Sequence, residues 1–305
     1  MLEIVLAAME HWPVIERVLA RVWGEDDYVA DSWRYWAQHP EEGMTLVALW
    51  DDEPVGTCHL GYTDNHTVWF HAMRIDPDYQ GRGIAGAMNA FAIPELRRLG
   101  YRQGLAAIDT ENIPSQKAAT KSGFRHLYSY DTLSLAAKEA HGDAEECPSL
   151  TEEDAAEGSV WSEAALDEVS DYLELLRPHL RYPRDRVLIA WELQQAEEQR
   201  IKEALCWLDP EGGGNRCFFY HWTQRGAKAW AAIYDFDEGA LIMSPACSRI
   251  EEWPNALHSL EAKFQKLNKA FQLWISKDDP LYAPTLAAGY VLIPEQGYQI
   301  WRLEI

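Results

Sequence analysis

Short apolar blocks separated by polar turns dominate the first quarter of the chain. The blocks at 44–50, 55–62 and 65–75 are rich in β-branched and aromatic residues, and turns containing Asp, Pro or Asn separate them. This pattern predicts three consecutive antiparallel strands. Before them, apolar residues between 11 and 38 recur three or four positions apart, which predicts helices.

After residue 75 the pattern changes to alternating helices and strands. A glycine-rich stretch opens a helix that Gly100 ends, and a short strand follows at 102–110. A second helix at 114–124 has a proline near its start and a glycine at its end, the usual asymmetry of helix ends. Together with an alternating strand at 124–135, these elements predict an α/β fold with a mixed sheet.

One acidic segment is predicted to separate two domains. Residues 141–158 contain seven acidic residues and no Lys or Arg, so we expect an acidic linker between domains at 1–140 and 159–305. The segments 108–124 and 275–290 share a strand, a polar turn, a proline, a short helix and a Gly-aromatic pair. This weak repeat predicts two like domains in tandem.

Charge and cysteine content narrow the classes of function. The net charge of −22 argues against nonspecific binding to nucleic acid or to an anionic membrane. No apolar run approaches the ~18 residues of a membrane span, and glutamates interrupt the N-terminus, so we expect a cytoplasmic protein. Five widely spaced cysteines without a CxxC pair predict free thiols and no metal site. Residues 71–125 carry eight basic and five acidic residues, a local excess that suits a small polyanion.

Three glycines lie where the third predicted strand gives way to a helix, in the sequence DYQGRGIAGAM at 78–88. Helix N-termini expose unpaired N–H groups that stabilise a bound anion, and phosphate oxygens must approach these nitrogens to about 3 Å. Gly81 and Gly83 leave that approach open and permit unusual φ angles, so we expect a pyrophosphate site. One alternative is a tight turn without a ligand. Another is dinucleotide binding, because 81–86 fits G-x-G-x-x-G, although the strand before it is third in a meander.

The motifs together resemble those of the GNAT superfamily of N-acetyltransferases. Residues 80–85 read QGRGIA, similar to the family's Q/R-x-x-G-x-G/A motif for acetyl-CoA. The lead-in at 75–77 and the downstream segment NIPSQKAATKSGF at 112–124 are also similar to family segments, one helix and one strand apart. The resemblance implies a GNAT fold whose fourth and fifth strands splay apart. It also implies a tandem of two such domains, with a degenerate second copy that has no glycine turn in 244–260.

The resemblance implies that acetyl-CoA lies in the gap between the splayed strands and that no metal is needed. Backbone groups of Met73 and Ile75 would bind pantetheine. The other positions that match the family's cofactor-binding residues are Gln80, Gly81, Arg82, Gly83, Ile84, Ala85, Gly86, Asn112 and Ser115.

This sequence matches the family's catalytic residues less well than its cofactor-binding residues. His71 occupies the position of the usual glutamate base, and a histidine near pKa 6.5 suits that role. It has the same parity as Met73, whose N–H would polarise the thioester carbonyl, so the two face one side if no bulge intervenes. Alternatively His71 is structural. The usual tyrosine acid is replaced by Ala119, which leaves water, the second domain or a tyrosine such as Tyr128 or Tyr130 to protonate the thiolate.

Acidic and aromatic residues between the first two predicted helices suggest the acceptor site. Carboxylates could hold an ammonium and aromatic rings could wall a pocket, and the candidates are Glu25, Asp26, Asp27, Tyr28 and Trp33. The alternative is a solvated acidic loop with tryptophans in the core. We therefore expect an N-acetyltransferase for a small amine or amino-acid-like acceptor, with homodimerisation open. A non-catalytic acyl-CoA-binding or interaction module, favoured by Ala119, is the alternative.

Overall fold

The computed structural model describes residues 1–24, 27–135, 161–164, 166–177, 186–189, 192–207, 216–224, 226–236, 239–266 and 270–305. The chain divides into two compact units. The first contains Met1–Ile108, Asn112–Leu127 and Gln299–Ile305, and the second contains Asp109–Glu111 and Tyr128–Tyr298. The predicted linker at 141–158 lies outside the described residues.

The first unit begins with five strands and four helices. The strands are β1 (Leu2–Leu6), β2 (Gly43–Trp50), β3 (Glu53–Tyr62), β4 (Thr67–Ile75) and β5 (Gln103–Asp109). The helices are α1 (Trp12–Trp23), α2 (Tyr28–Gln38), α3 (Ile84–Leu99) and α4 (Ile113–Lys121), with 3-10 turns at Met9–His11 and Pro77–Tyr79. The three strands predicted before residue 76 are confirmed, whereas β1 was not predicted.

The sheet of the first unit opens between β4 and β5. Its strands follow the order β1-β2-β3-β4-β5, and all neighbours are antiparallel except β4 and β5, which are parallel. These two pair only over their first three residues, as far as Trp69 opposite Leu105. Phe70 lies where they separate, since a Cβ on Gly104 would lie 2.5 Å from its ring. The splayed strands implied by the resemblance are therefore present.

Helices cover both faces of this sheet. Apolar residues of α1, α2, β2 and β4 form one buried cluster, which contains Ile15, Leu19, Val29, Trp33, Trp36, Val47 and Ala72. On the other face, one side of α3 packs against β2, β3 and β4 in a cluster that includes Leu46, Ala48, Leu60, Ile84, Met88, Ala92 and Leu96. Successive residues of β2 enter opposite clusters, as the two-residue period of a strand requires.

The second unit repeats the mixed architecture. Its strands are β7 (Ser162–Glu163), β8 (Arg186–Ile189), β9 (Glu192–Gln195), β10 (Arg216–Gln224), β11 (Ala227–Phe236), β12 (Gly239–Cys247) and β13 (Ala270–Ile275). Its helices are α5 (Val169–Leu176), α6 (Glu198–Trp207), α7 (Trp253–Lys266) and α8 (Tyr282–Ala287), with 3-10 turns at Leu166–Glu168 and Ile250–Glu252. Strands β10, β11 and β12 are antiparallel, and β12 and β13 are parallel. Strands β8 and β9 form a separate antiparallel pair.

Two long strands contribute to both units. β6 (Arg125–Leu135) leaves the first unit after Leu127, and β14 (Tyr290–Glu304) enters it at Gln299. The last residues of β14 lie beside β5, and the Ile305 N–H donates to the Arg102 carbonyl oxygen over 2.9 Å. This contribution of residues 299–305 to the first unit was not predicted from the sequence.

The two members of the predicted repeat end alike. Gly123 follows α4 with φ +92°, and Gly289 follows α8 with φ +91°, so both close a short helix in the left-handed conformation that glycine tolerates. Across the residues that the structure describes, no helix is both long and apolar enough to cross a bilayer.

Candidate functional site

The turn between β4 and α3 exposes a row of backbone amides. Gly81 and Gly83 have φ of +75° and +83°, and Gly83 is the N-cap of α3. Within the described part of the chain, no acceptor pairs with the N–H groups of 81 to 86. A Cβ placed on Gly81, Gly83 or Gly86 would meet nothing within 4 Å. This open, amide-lined surface is here called the glycine cradle, and it has the backbone geometry of a helix N-terminus that can bind an anion.

Two side chains hold the glycine cradle in place. The Gln80 amide donates to the Ile75 carbonyl oxygen over 3.0 Å, and the Arg82 guanidinium donates to the Asp78 carbonyl oxygen over 3.0 Å. The Arg82 guanidinium also lies 5.1 Å from the Trp50 ring centre and 5.0 Å from that of Tyr79. These contacts tie the turn to β2 and to the end of β4, and Arg82 itself is exposed.

A β-bulge interrupts β4 beside the glycine cradle. His59 of β3 lies opposite His71 and Thr57 opposite Arg74, so Cys58 faces two residues of β4, Ala72 and Met73. Ala72 has φ +56°, a value that a residue with a Cβ rarely adopts.

The bulge reverses the faces of β4. Met73 and Ile75 pack into the α3 cluster, whereas Ala72 packs into the α1–α2 cluster and His71 contacts Trp36 of α2. The expectation that His71 and Met73 share a face is therefore wrong, because one extra residue shifts the alternation. His71 and Met73 instead lie on opposite faces of β4, with Ala72 between them.

His71 belongs to a group of three rings, here called the ring cluster. Trp36 stacks on His59 with ring centres 4.3 Å apart and meets His71 edge-on at 5.1 Å. The two imidazoles are 5.1 Å apart, and Thr45 Oγ1 and His59 Nδ1 share a hydrogen bond of 2.8 Å. His59 is only 3 % exposed, and His71 is half-buried.

This environment keeps both imidazoles neutral. Burial, and then the charge of Arg74, lowers the pKa of His71 to about 3. Burial, and then coupling to His71, lowers the pKa of His59 to about 2. The expected titration of His71 near pH 6.5 is therefore wrong, because the ring stays unprotonated well below neutral pH.

The depressed pKa values predict a loss of stability in acid. In the unfolded chain both rings bind a proton below about pH 6.5, whereas in the fold they stay neutral until the pH is far lower. Stability is therefore complete above about pH 6.5 and declines as the pH falls from there toward 4. We expect His59→Phe, which keeps a ring against Trp36, to reduce this decline in urea unfolding midpoints. Equal pH slopes in the two proteins would contradict the prediction.

Sequence and fold comparisons agree on this region. The family model described as "Acetyltransferase (GNAT) family" matches residues 6–124. Residues 6–124 belong to the GNAT family. The GNAT domain thus includes the glycine cradle, the bulge and the ring cluster. A comparison with the curated proteins gave no match.

Solved structures are similar in fold to both units of this chain. A tandem GNAT protein from the clavulanic acid biosynthesis pathway matches 100 % of this chain and 98 % of its own, at 15 % identity and a TM-score of 0.61. A GCN5-related N-acetyltransferase from Kribbella flavida matches 99 % of this chain and 70 % of its own, at 16 % identity and a TM-score of 0.60. The tandem GNAT fold predicted from the sequence is confirmed.

Asp27 of the GNAT domain is a structural residue. Its side chain is 1 % exposed and pairs with Arg74 through two hydrogen bonds of 2.8 and 2.9 Å. It also accepts from the Val29 N–H over 3.2 Å, which caps α2. With both oxygens engaged by Arg74, Asp27 offers no free carboxylate to an acceptor ammonium, so that expectation is wrong.

The other candidate acceptor residues are placed differently. Trp33 is fully buried and donates to Thr57 Oγ1 over 2.8 Å, so it is a core residue and the acceptor role predicted for it is wrong. Tyr28 is 53 % exposed with its ring 5.7 Å from the Arg74 guanidinium, and its role stays a prediction. Glu25 and Asp26 lie outside the described residues.

Breaking the Asp27–Arg74 pair should cost stability rather than acceptor affinity. Asp27→Asn leaves a buried guanidinium without its counter-charge, and we expect the free energy of unfolding to fall by about 3 kcal/mol. The control Asp31→Asn changes an exposed residue in the same first turn of α2 and should stay within about 0.5 kcal/mol. Unchanged stability with a raised acceptor KM in Asp27→Asn would instead support acceptor binding.

Helix α4 begins with the residues predicted to touch acetyl-CoA. The Asn112 side-chain oxygen accepts from the Ser115 N–H over 3.1 Å and caps the helix, which leaves its NH₂ group able to donate. Ala119 packs with Phe124 and with Trp301 of β14, so the position of the usual tyrosine serves the core.

The outer side of α4 carries a separate surface groove. The groove has a volume of about 410 Å³ and is lined by Ile113, Gln116, Lys117, Thr120, Lys121 and Trp301. At 100° per residue these helical positions are centred roughly 135° around the helix from Asn112, Ser115 and Ala119, although Gln116 lies near Asn112.

Tyr130 belongs to the second unit. Its ring centre lies 5.4 Å from that of Tyr128, and burial raises its pKa to about 12. A phenol with that pKa carries its proton at neutral pH, as a proton donor must. Its role as the leaving-group acid stays a prediction.

Proposed function

We propose that the GNAT domain is an acetyl-CoA-dependent N-acetyltransferase that transfers the acetyl group directly to a small amine or amino-acid-like acceptor. The observation that carries this proposal is the glycine cradle, with its unpaired amides next to the bulge of β4. Every helix begins with N–H groups that have no partner within the helix, and here the left-handed Gly81 and Gly83 extend that row beyond the helix, which suits the several oxygens of a pyrophosphate.

Several groups of this chain would hold the cofactor. The amides of 81–86 would bind the pyrophosphate, backbone groups of Met73 and Ile75 would bind pantetheine, and Asn112 would donate from the start of α4. Gln80 and Arg82 would position the turn rather than bind phosphate, since both are engaged with backbone carbonyls. When bound, acetyl-CoA supplies a thioester carbonyl that an amine can attack.

His71 and Met73 flank the reaction from opposite faces of β4. The neutral Nε2 of His71 can accept a hydrogen bond from the acceptor amine. As the amine nitrogen forms its bond to the acetyl carbon it loses a proton, which Nε2 can take. A pKa of about 3 makes His71 too weak a base to deprotonate a free ammonium, so the acceptor has to arrive as the neutral amine. The Met73 N–H is the proposed donor to the carbonyl oxygen, and water would protonate the leaving thiolate.

Thiol release from acetyl-CoA in the presence of amino acids, polyamines and aminoglycosides tests the proposal. Steady turnover with at least one acceptor supports the enzyme. The alternative, an acyl-CoA-binding module, rests on Ala119 at the position of the usual acid. Tight binding of acetyl-CoA by calorimetry without turnover on any amine would favour the module.

A further inference from the structure

Gly61 of β3 leaves a space of about one methyl group against the ring cluster. A Cβ placed on Gly61 would lie 3.6 Å from His71 Nε2 and 3.7 Å from His59 Nε2, with no other residue nearer. Gly61 is half-buried and has no positive φ, so its backbone does not require glycine. What the missing side chain leaves is room for a small group beside both imidazole nitrogens.

The position of this space fits the reaction proposed above. His59 pairs directly with His71 across β3 and β4, and His71 immediately precedes the bulge residues. The α3 face of β4 carries Met73 and Ile75, which are assigned to the cofactor. The opposite face carries the ring cluster, and none of its three rings has a role in the cofactor assignment.

The geometry points to the space over Gly61 as the acceptor site, in which His71 Nε2 contacts the acceptor and His59 positions His71. His59 is itself fixed by Thr45 at Nδ1 and by the stacked Trp36 ring, so its Nε2 and ring edge form a rigid neighbour for His71. A second glycine supports this arrangement: a Cβ on Gly43 would lie 2.7 Å from His59 Nε2, so Gly43 lets the His59 ring lie flat against β2.

Two charged residues lie near the space. Glu42 precedes Gly43, which pairs directly with Gly61, and the Tyr35 hydroxyl donates to the Glu42 carboxylate over 2.7 Å. Arg74, whose charge acts on His71, is paired with Asp27. Both an anion and a paired cation therefore lie beside the site. This inference rests on the proposed function for its catalytic part.

Gly61→Ala tests the site, because one methyl group fills the space at ordinary van der Waals distance and should leave the fold intact. With the acceptor found by thiol release, we expect KM to rise at least tenfold while the acetyl-CoA Kd from calorimetry stays within twofold. Gly86→Val should instead raise the acetyl-CoA Kd and leave the acceptor KM unchanged. An unchanged acceptor KM in Gly61→Ala would overturn the inference.

Chemical modification provides a readout that does not depend on turnover. Diethyl pyrocarbonate acylates neutral imidazole nitrogen, and mass spectrometry locates each modified histidine. We expect His71 to react at least fivefold more slowly in Gly61→Ala, with exposed His66 as the unchanged internal reference. An unchanged His71 rate would mean that the space does not give access to Nε2 and would refute the site even if the proposed function fails. Should Gly61→Ala be misfolded, Thr45→Val should alter the His71 rate by releasing His59, and an unchanged rate would refute the positioning role.

Discussion

Replacing Gly86 by valine should raise the Kd for acetyl-CoA at least tenfold, a loss of at least about 1.4 kcal/mol, without unfolding the protein. Gly86 is exposed in the first turn of α3, has no positive φ and faces open space, so the branched side chain fits the protein but blocks phosphate from the amides. Valine also has a higher helix propensity than glycine. Gly83→Val is a poorer test, because φ +83° would add backbone strain to any effect on binding.

Calorimetry with acetyl-CoA measures this effect and its control together. Ala90→Val places the same side chain at an exposed position one turn later in α3, where the N–H groups already bond within the helix, and should not change the Kd. We expect one site per chain, since residues 244–260 of the second unit contain no glycine turn. Equal affinity in Gly86→Val would rule out pyrophosphate binding at the cradle, and two equivalent sites would refute the degenerate role of the second unit.

Removing the His71 imidazole should lower kcat/KM by about 10²-fold, because the acceptor amine then loses the group that orients it. The ascending limb of the pH profile should remain and should follow the pKa of the acceptor amine, since the pKa of His71 lies near 3. Two acceptors whose amines differ in pKa, assayed from pH 6 to 10 with wild type and His71→Ala, measure both effects.

The control for this experiment is His66→Ala, an exposed histidine in the turn before β4, which should leave kcat/KM unchanged. The acetyl-CoA Kd of His71→Ala should also be unchanged, because the proposed cofactor contacts on β4 are backbone groups. A limb centred near pH 6.5 that disappears in His71→Ala would restore the ordinary general-base role. Wild-type kcat/KM in the variant would exclude any catalytic role for His71.

The glycine cradle was predictable because its cause is local. Gly81 and Gly83 are needed for φ angles that other residues avoid, and an anion at a helix N-terminus depends on the adjoining amides alone. The order of strands and helices around it follows from residue periodicity in the same way. Local patterns of this kind therefore predict the fold class and the glycine cradle.

The acceptor side was not predictable, because its causes are distant in sequence. Nothing in the pattern of β4 marks Ala72 for a left-handed conformation, yet the bulge there decides which face His71 occupies. The acidic loop suggested free carboxylates, but Asp27 pairs with Arg74, a partner 47 positions away. Nothing in the sequence around Gly61 indicates its proposed role, because that role depends on His59 of the same strand and His71 of the neighbouring strand.

The return of residues 299–305 to the first unit sets a time order for biosynthesis. Trp301 and Leu303 pack with Ala119 and Phe124 in the first unit. This core therefore stays incomplete while the ribosome translates the chain from residue 128 to residue 298. At usual elongation rates the delay is roughly 10 to 30 s. During it the nascent first unit exposes the apolar surface that these two side chains later cover, and this interval is where we expect chaperones to be needed. A fragment that ends at residue 140 would remain in that incomplete state permanently.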